Sequence, residues 1–63
     1  MLTRRQIEVL QALVDWSGQR EAGRHLGITV ATMRNHVLGI RERLGARSLP
    51  QAAAIAWARG LIR

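Results

Sequence analysis

The segment that decides the fold is ITVATMRNHVLGIRERLG, which runs from Ile28 to Gly45. At roughly 100° per residue, the spacing of its large apolar side chains matches one face of a helix. The residues on that apolar arc are Met33, Val37, Ile40 and Leu44. The pattern predicts a helix over residues 30–44, which begins after Thr29 as its cap and stops at Gly45.

Two predicted helices precede this segment. Thr3 and Gln6 have the spacing of a capping box, which indicates a first helix from about residue 4 to residue 16. Its apolar positions form two rows, and so broad an apolar surface is typical of a helix covered on two sides. A short second helix is expected over residues 19–26, where Gly27 ends it in the left-handed conformation.

A fourth helix is predicted over residues 48–59. Ser48 and Gln51 repeat the capping-box spacing, and Pro50 lies in the first turn, where a helix tolerates proline. No alternating apolar pattern and no hairpin turn signal occurs anywhere in the sequence. Residues 1–63 are therefore predicted to form one all-α domain, a compact bundle of four helices.

The second and third helices have the features of a helix-turn-helix unit. Gly27 allows the tight turn, and Leu26 and Ile28 supply an apolar interior for the corner. Gly23 is small at the position where the two helices should touch most closely. In such a unit the second helix enters the DNA major groove, which makes residues 30–44 the expected recognition helix.

A second arc of this helix carries the candidate base contacts, which are Ala31, Arg34, Asn35 and Leu38. Arginine can bind guanine through two hydrogen bonds, and asparagine can do the same with adenine. Leu38 would suit a thymine methyl group, and alanine is small enough to let the backbone approach. The alternative is that Arg34 and Asn35 are ordinary surface residues and Leu38 a scattered apolar one.

The charge balance favours a polyanionic partner. Ten basic residues against four acidic ones give a net charge of +6, which attracts nucleic acid first and anionic membrane second. Arg4 and Arg5 occupy the first turn of a helix, where the macrodipole disfavours positive charge. We interpret at least one as a phosphate contact, the alternative being a solvated turn. Further phosphate candidates are Arg20, Arg41 and Arg47.

The composition argues against several other functions. There is no cysteine for a disulfide or thiolate metal site, and His25 and His36 lack a third ligand. His36 is expected to be a half-buried packing residue that could also contact a phosphate. No nucleophile and base constellation is present, so neither an enzyme nor a cofactor is expected. The apolar stretch 52–58 is too short to span a bilayer and no signal peptide is evident, which predicts a cytoplasmic, nucleoid-associated protein without membrane contact.

The fourth helix is apolar on almost every side. Three other helices in so small a domain can cover only part of it, which favours a homodimer across a two-fold axis. The predicted interface consists of small residues and one tryptophan: Ala53, Ala56, Trp57 and Gly60. The alternative is an alanine-rich helix with a partly exposed face, favoured by helix propensity alone.

The motifs LTRRQIEVL and REAGRHLGITVATMRNHVLGIRERLGARSLPQAAAIA resemble the LuxR-type, or GerE-type, helix-turn-helix domain of bacterial transcription regulators. The resemblance covers Leu2 to about Ile62. It implies a four-helix domain that dimerises through its fourth helix and binds double-stranded DNA as that dimer. It implies base contacts at the positions of Arg34, Asn35 and Leu38. It also implies backbone contacts from Thr29, Thr32 and neighbouring basic residues.

The sequence departs from this family at three positions of the first two helices. Trp16 replaces a usual glycine, Ala22 a usual isoleucine and Gly23 a usual alanine. We hypothesise that Trp16 fills part of the space left at Ala22. Leu38 also stands where relatives often have a polar or basic residue, so a relative's target sequence cannot be transferred.

Two other functions compete with this interpretation. The domain could be a protein-interaction module that pairs with a larger LuxR-type regulator, with weak and sequence-indifferent DNA affinity. It could also be a sigma-factor-like promoter-reading domain, which would need contacts with RNA polymerase. LuxR-type proteins usually carry a sensing domain as well; none is expected within these 63 residues, which could be a whole small regulator or a domain excised from a longer one.

Overall fold

The computed structural model describes all residues from Met1 to Arg63. Four helices follow one another: α1 (Arg4–Asp15), α2 (Gly18–Leu26), α3 (Val30–Leu44) and α4 (Leu49–Ala58). No strand is present, so the all-α, four-helix prediction with a helix-turn-helix is confirmed. The predicted bounds of α3 are those observed, and the ends of the other helices differ by at most one residue, which is within the usual uncertainty of helix ends.

Local side-chain caps explain where α1 and α4 begin. In α1 the Gln6 amide donates to Thr3 Oγ1 over 3.0 Å and the Thr3 amide donates to Gln6 Oε1 over 2.9 Å, which completes the predicted capping box. At α4 the Gln51 amide donates to Ser48 Oγ, but the Gln51 side chain accepts from the Arg47 amide instead of the Ser48 amide. The second capping box is therefore only half formed.

The core is built around α3. All four residues of its predicted apolar arc are buried, and they pack with residues of α1, α4 and both chain ends: Leu2, Val9, Leu10, Ala52 and Ile62. Both ends are also tied by hydrogen bonds. Arg43 Nη1 donates to the Met1 carbonyl, and the Gln11 side chain bonds both the amide and the carbonyl of Arg63.

The C-terminal end of α1 departs from the prediction. Val14 and Trp16 are each 44% exposed, so the two apolar rows of α1 are covered only over its first turns. The Trp16 ring stacks on His25 of α2, with 4.7 Å between ring centroids, and stays outside the core. Ala22, which lies about one helical turn before His25 on α2, is fully buried. That Trp16 fills part of the space left at Ala22 therefore stays a hypothesis.

The corner between α2 and α3 closes through backbone hydrogen bonds. Gly27 has a φ of 70°, the left-handed conformation that was predicted. The Ile28 amide donates to the Gly23 carbonyl over 3.0 Å. Gly23 is buried at this contact, but a Cβ atom there would lie 3.5 Å from the Ile28 oxygen, an ordinary van der Waals distance. The helices do not approach closely enough to require glycine, which corrects the interpretation of Gly23.

Candidate nucleic-acid interface

The outward face of α3 carries the side chains predicted to read bases. Ala31, Arg34, Asn35 and Leu38 are all exposed, with Leu38 49% accessible. The Arg34 guanidinium forms no ion pair and no intramolecular hydrogen bond. Residues 22–41 contain no Asp or Glu, and the first acidic residue on this side of α3 is Glu42, about two helical turns beyond Arg34. The Arg34 guanidinium and the Asn35 side-chain amide are therefore free to form hydrogen bonds with a molecule outside the domain.

The N-terminal end of α3 presents hydroxyl and amide donors. Thr29 caps the helix, because its Oγ1 accepts from the Thr32 amide over 3.2 Å. The Thr29 hydroxyl in turn donates to Thr32 Oγ1 over 3.0 Å, so the Thr32 hydroxyl proton is free to point outward. The first turn has no acidic residue to neutralise the positive end of the helix dipole. This end of α3 is suited to an anion, with Thr32 as the better donor of the two threonines.

The other predicted phosphate contacts differ in how far they are engaged within the domain. The side chains of Arg4, Arg20 and Arg47 are exposed and have no partner. Arg5 forms an ion pair with Glu8 over 3.4 Å, but both side chains are about half exposed, and such a surface pair is weak. All four guanidinium groups are therefore accessible to solvent anions.

Arg41 is the exception among the predicted phosphate contacts. Its guanidinium donates to the Arg47 carbonyl in the loop between α3 and α4, and its Nε is buried without a partner. Because this side chain folds over the loop and is only partly exposed, Arg41 holds the loop in place, and its assignment as a phosphate contact stays a prediction. His36 is half-buried on the flank of the α3 core arc, as predicted.

The predicted dimer face on α4 is only partly accessible. Ala56 is fully buried within its own domain, so it cannot contact a second chain, and this part of the prediction is wrong. Ala53 is half-buried, whereas Trp57 is 63% exposed and Gly60 is also exposed. The accessible apolar face of α4 consists instead of Ala54, Trp57 and Ala58. We call this set the Trp57 face.

One exposed apolar residue at the recognition helix was not singled out from the sequence. Val30, the first residue of α3, is 61% exposed. On a helical wheel Val30 falls beside the core residue Val37, so the sequence pattern alone would predict that Val30 is buried. Its position directly after the turn, where the helix emerges from the domain, is the signal that could have identified it.

Two properties of the structure bear on other classes of function. No group of three or more His, Asp or Glu side chains lies close enough together to hold a metal ion. None of the helices combines the length and the apolar character that a membrane span requires.

The corner, the free donors of α3 and the lack of acidic residues over residues 22–41 together define a helix-turn-helix DNA-binding domain of the kind found in transcription regulators. The family model described as bacterial regulatory proteins, luxR family (GerE), matches residues 1–56. The chain therefore belongs to the luxR family, as its sequence motifs suggested, and this is a family of DNA-binding regulatory domains and not of enzymes. No curated protein matches the chain.

Proposed function

We propose that this domain binds double-stranded DNA sequence-specifically, with α3 in the major groove. The observation that carries the proposal is the outward face of α3, where Arg34 and Asn35 are exposed and unpaired and where no acidic residue precedes Glu42. Neither side chain contributes to the core. A helix that only packed would gain nothing from two base-reading groups held side by side.

Each residue of this face has a distinct role in the proposal. Arg34 donates two hydrogen bonds to a guanine, and Asn35 pairs with the N6 and N7 edge of an adenine. Leu38, half exposed in the free domain, covers a thymine methyl group. Ala31 makes no polar contact, and its small side chain lets the helix backbone approach the base edges.

The phosphate contacts fix the orientation of α3 in the groove. Thr32 and the first-turn amides of α3 bind one phosphate at the helix N-terminus, while Thr29 supports Thr32 through its hydroxyl. Further phosphates are bound by exposed basic side chains: Arg4, Arg5, Arg20, Arg47 and, from the flank of the helix, His36. These contacts supply affinity that is independent of sequence and sensitive to salt.

Two copies of the domain pair through the Trp57 face in this proposal. A tryptophan that is 63% exposed between two exposed alanines is an apolar surface that association would bury. Ala53 and Gly60 lie at its edges. A two-fold dimer would place its recognition helices on half-sites about one helical turn apart.

Selection from randomised duplex DNA, followed by affinity measurement at several salt concentrations, tests the proposal. We expect a two-fold symmetric consensus and an affinity that falls steeply with salt. Arg34→Ala should relax the preference at one base pair by roughly 1–3 kcal/mol. The matched variant Arg20→Ala should weaken all duplexes equally and reduce the salt slope by about one. A uniform loss with Arg34→Ala would contradict the base-reading role.

Dimer formation needs its own readout. Trp57→Ala should leave each domain folded, since most of the side chain is exposed. It should abolish cooperative binding to the two-half-site duplex, so that the variant binds this duplex only as weakly as it binds a single half-site. Sedimentation of the complexes would report one or two domains per duplex. A non-symmetric consensus bound by a single domain would contradict the homodimer and would favour pairing of the Trp57 face with a different regulator.

A further inference from the structure

Val30 is an exposed apolar side chain with no role in the fold. It is 61% accessible, and with Leu38 it is one of only two large apolar residues exposed on α3. A β-branched residue in a helix has a lower intrinsic helix propensity than alanine or glutamate. Since Val30 neither fills the core nor favours the helix, its position is better explained by something that contacts it.

Val30 is aligned with the proposed base contacts. Val30, Arg34 and Leu38 follow one another at intervals of four residues, so they form one continuous row along the helix. Eight residues of helix rise about 12 Å, with Arg34 halfway along. Val30 therefore lies at the N-terminal end of the row and Leu38 at its other end.

The surroundings of Val30 point to a polyanion with apolar groups. Val30 lines a shallow cavity of about 170 Å³ between α2 and the start of α3, and Arg20 lies in the same cavity wall. On the other side Arg34 is one helical turn away. Val30 is thus an apolar contact between two unpaired guanidinium groups, and residues 22–41 around it include no acidic residue. In the DNA major groove the thymine methyl is likewise an apolar group between phosphates and polar base edges.

We propose that Val30 determines sequence specificity by contacting the C5-methyl group of a pyrimidine in the major groove. This inference rests on the proposed function and extends it. Arg34 would then be flanked by two apolar contacts, Leu38 toward one side of the guanine and Val30 toward the other. From the 12 Å spacing and the roughly 3.4 Å rise per base pair, the two methyl groups lie within about four base pairs of each other.

Uracil substitution is the direct test, because uracil lacks only the C5-methyl group of thymine. In the preferred duplex each thymine of one half-site is replaced in turn by uracil, and affinity is measured at fixed salt. We expect two sensitive positions, each with a loss of about fourfold, the effect of one buried methyl group. A 5-methylcytosine·guanine pair at the Val30 position should bind about fourfold better than its unmethylated form, which separates methyl recognition from recognition of the other thymine atoms.

Protein variants assign the two positions. With Val30→Ala, one position should lose its sensitivity to uracil while the other, read by Leu38, keeps it. Val30→Thr, which preserves the side-chain shape but replaces one methyl with a hydroxyl, should reduce the sensitivity partially. Val14→Ala is the matched control, because it removes the same atoms from an exposed valine on α1 and should change neither position.

The inference and the proposed function fail in different ways. If the wild-type domain prefers no duplex, both are overturned. If it binds a consensus sequence but Val30→Ala retains every uracil effect of the wild type, only the role of Val30 is overturned. The same conclusion follows if Val30→Ala impairs association with a protein partner while thymine dependence is unchanged.

Discussion

Replacing Gly23 by alanine should stabilise this domain. Gly23 lies inside α2, where glycine is disfavoured because the unfolded chain has more conformations to lose. An added Cβ would be 3.5 Å from the Ile28 oxygen and 3.8 Å from Met33 Cε. Both are ordinary contact distances, so the methyl group fits without moving the corner.

The expected gain in the free energy of unfolding follows from the helix propensities of glycine and alanine. Alanine is favoured over glycine in a helix interior by about 0.8–1.0 kcal/mol, and no steric cost offsets this gain here. Gly23 also lines the shallow cavity beside Val30, so the new methyl group fills space that is open in the wild type. For a domain of this size, a gain of about 1 kcal/mol raises Tm by about 4–8 °C.

Thermal and urea unfolding followed by circular dichroism, at one protein concentration, measure this difference. Gly27→Ala is the matched control: its Cβ would meet nothing within 4 Å, but φ is 70°, a conformation that costs a residue with a side chain about 1–2 kcal/mol. Both substitutions add one methyl group, but we expect Gly23→Ala to raise the free energy of unfolding and Gly27→Ala to lower it. A fall in stability with Gly23→Ala would mean that the helices need glycine at their contact, and it would refute the packing described here.

Three other changes test local contacts. Thr3→Ala removes the capping box of α1 and should lower the free energy of unfolding by about 1 kcal/mol in urea titration; no change would mean that the bonds do not persist in solution. Arg41→Met removes the bond to the Arg47 carbonyl and should cost about 1–2 kcal/mol, whereas Arg47→Ala should leave stability unchanged and weaken DNA binding. A neutral Arg41→Met with weakened DNA binding would confirm Arg41 as a phosphate contact. Gln11→Leu frees the backbone of Arg63, so hydrogen exchange at that amide should accelerate; unchanged exchange would contradict the tether.

The sequence alone determined the helices and the outward face of α3, because both depend on residues close together in the chain. The cap at Thr3, the turn at Gly27 and the stop at Gly45 act through hydrogen bonds and backbone angles spanning a few residues. The apolar arc of α3 is interrupted by polar side chains, so its periodicity also identifies the outward face with Arg34 and Asn35.

Only the tertiary structure decided what the other helices bury. Because α4 is apolar all round, its pattern cannot distinguish the buried Ala56 from the exposed Trp57, and the packing of distant elements makes that choice. Neighbouring helices likewise leave Val14 of α1 and Val30 of α3 exposed, although both side chains are apolar. Arg41 turns to the loop because the loop carbonyl is close to it in space. Burial depends on which surfaces meet, and periodicity within one helix carries no information about its neighbours.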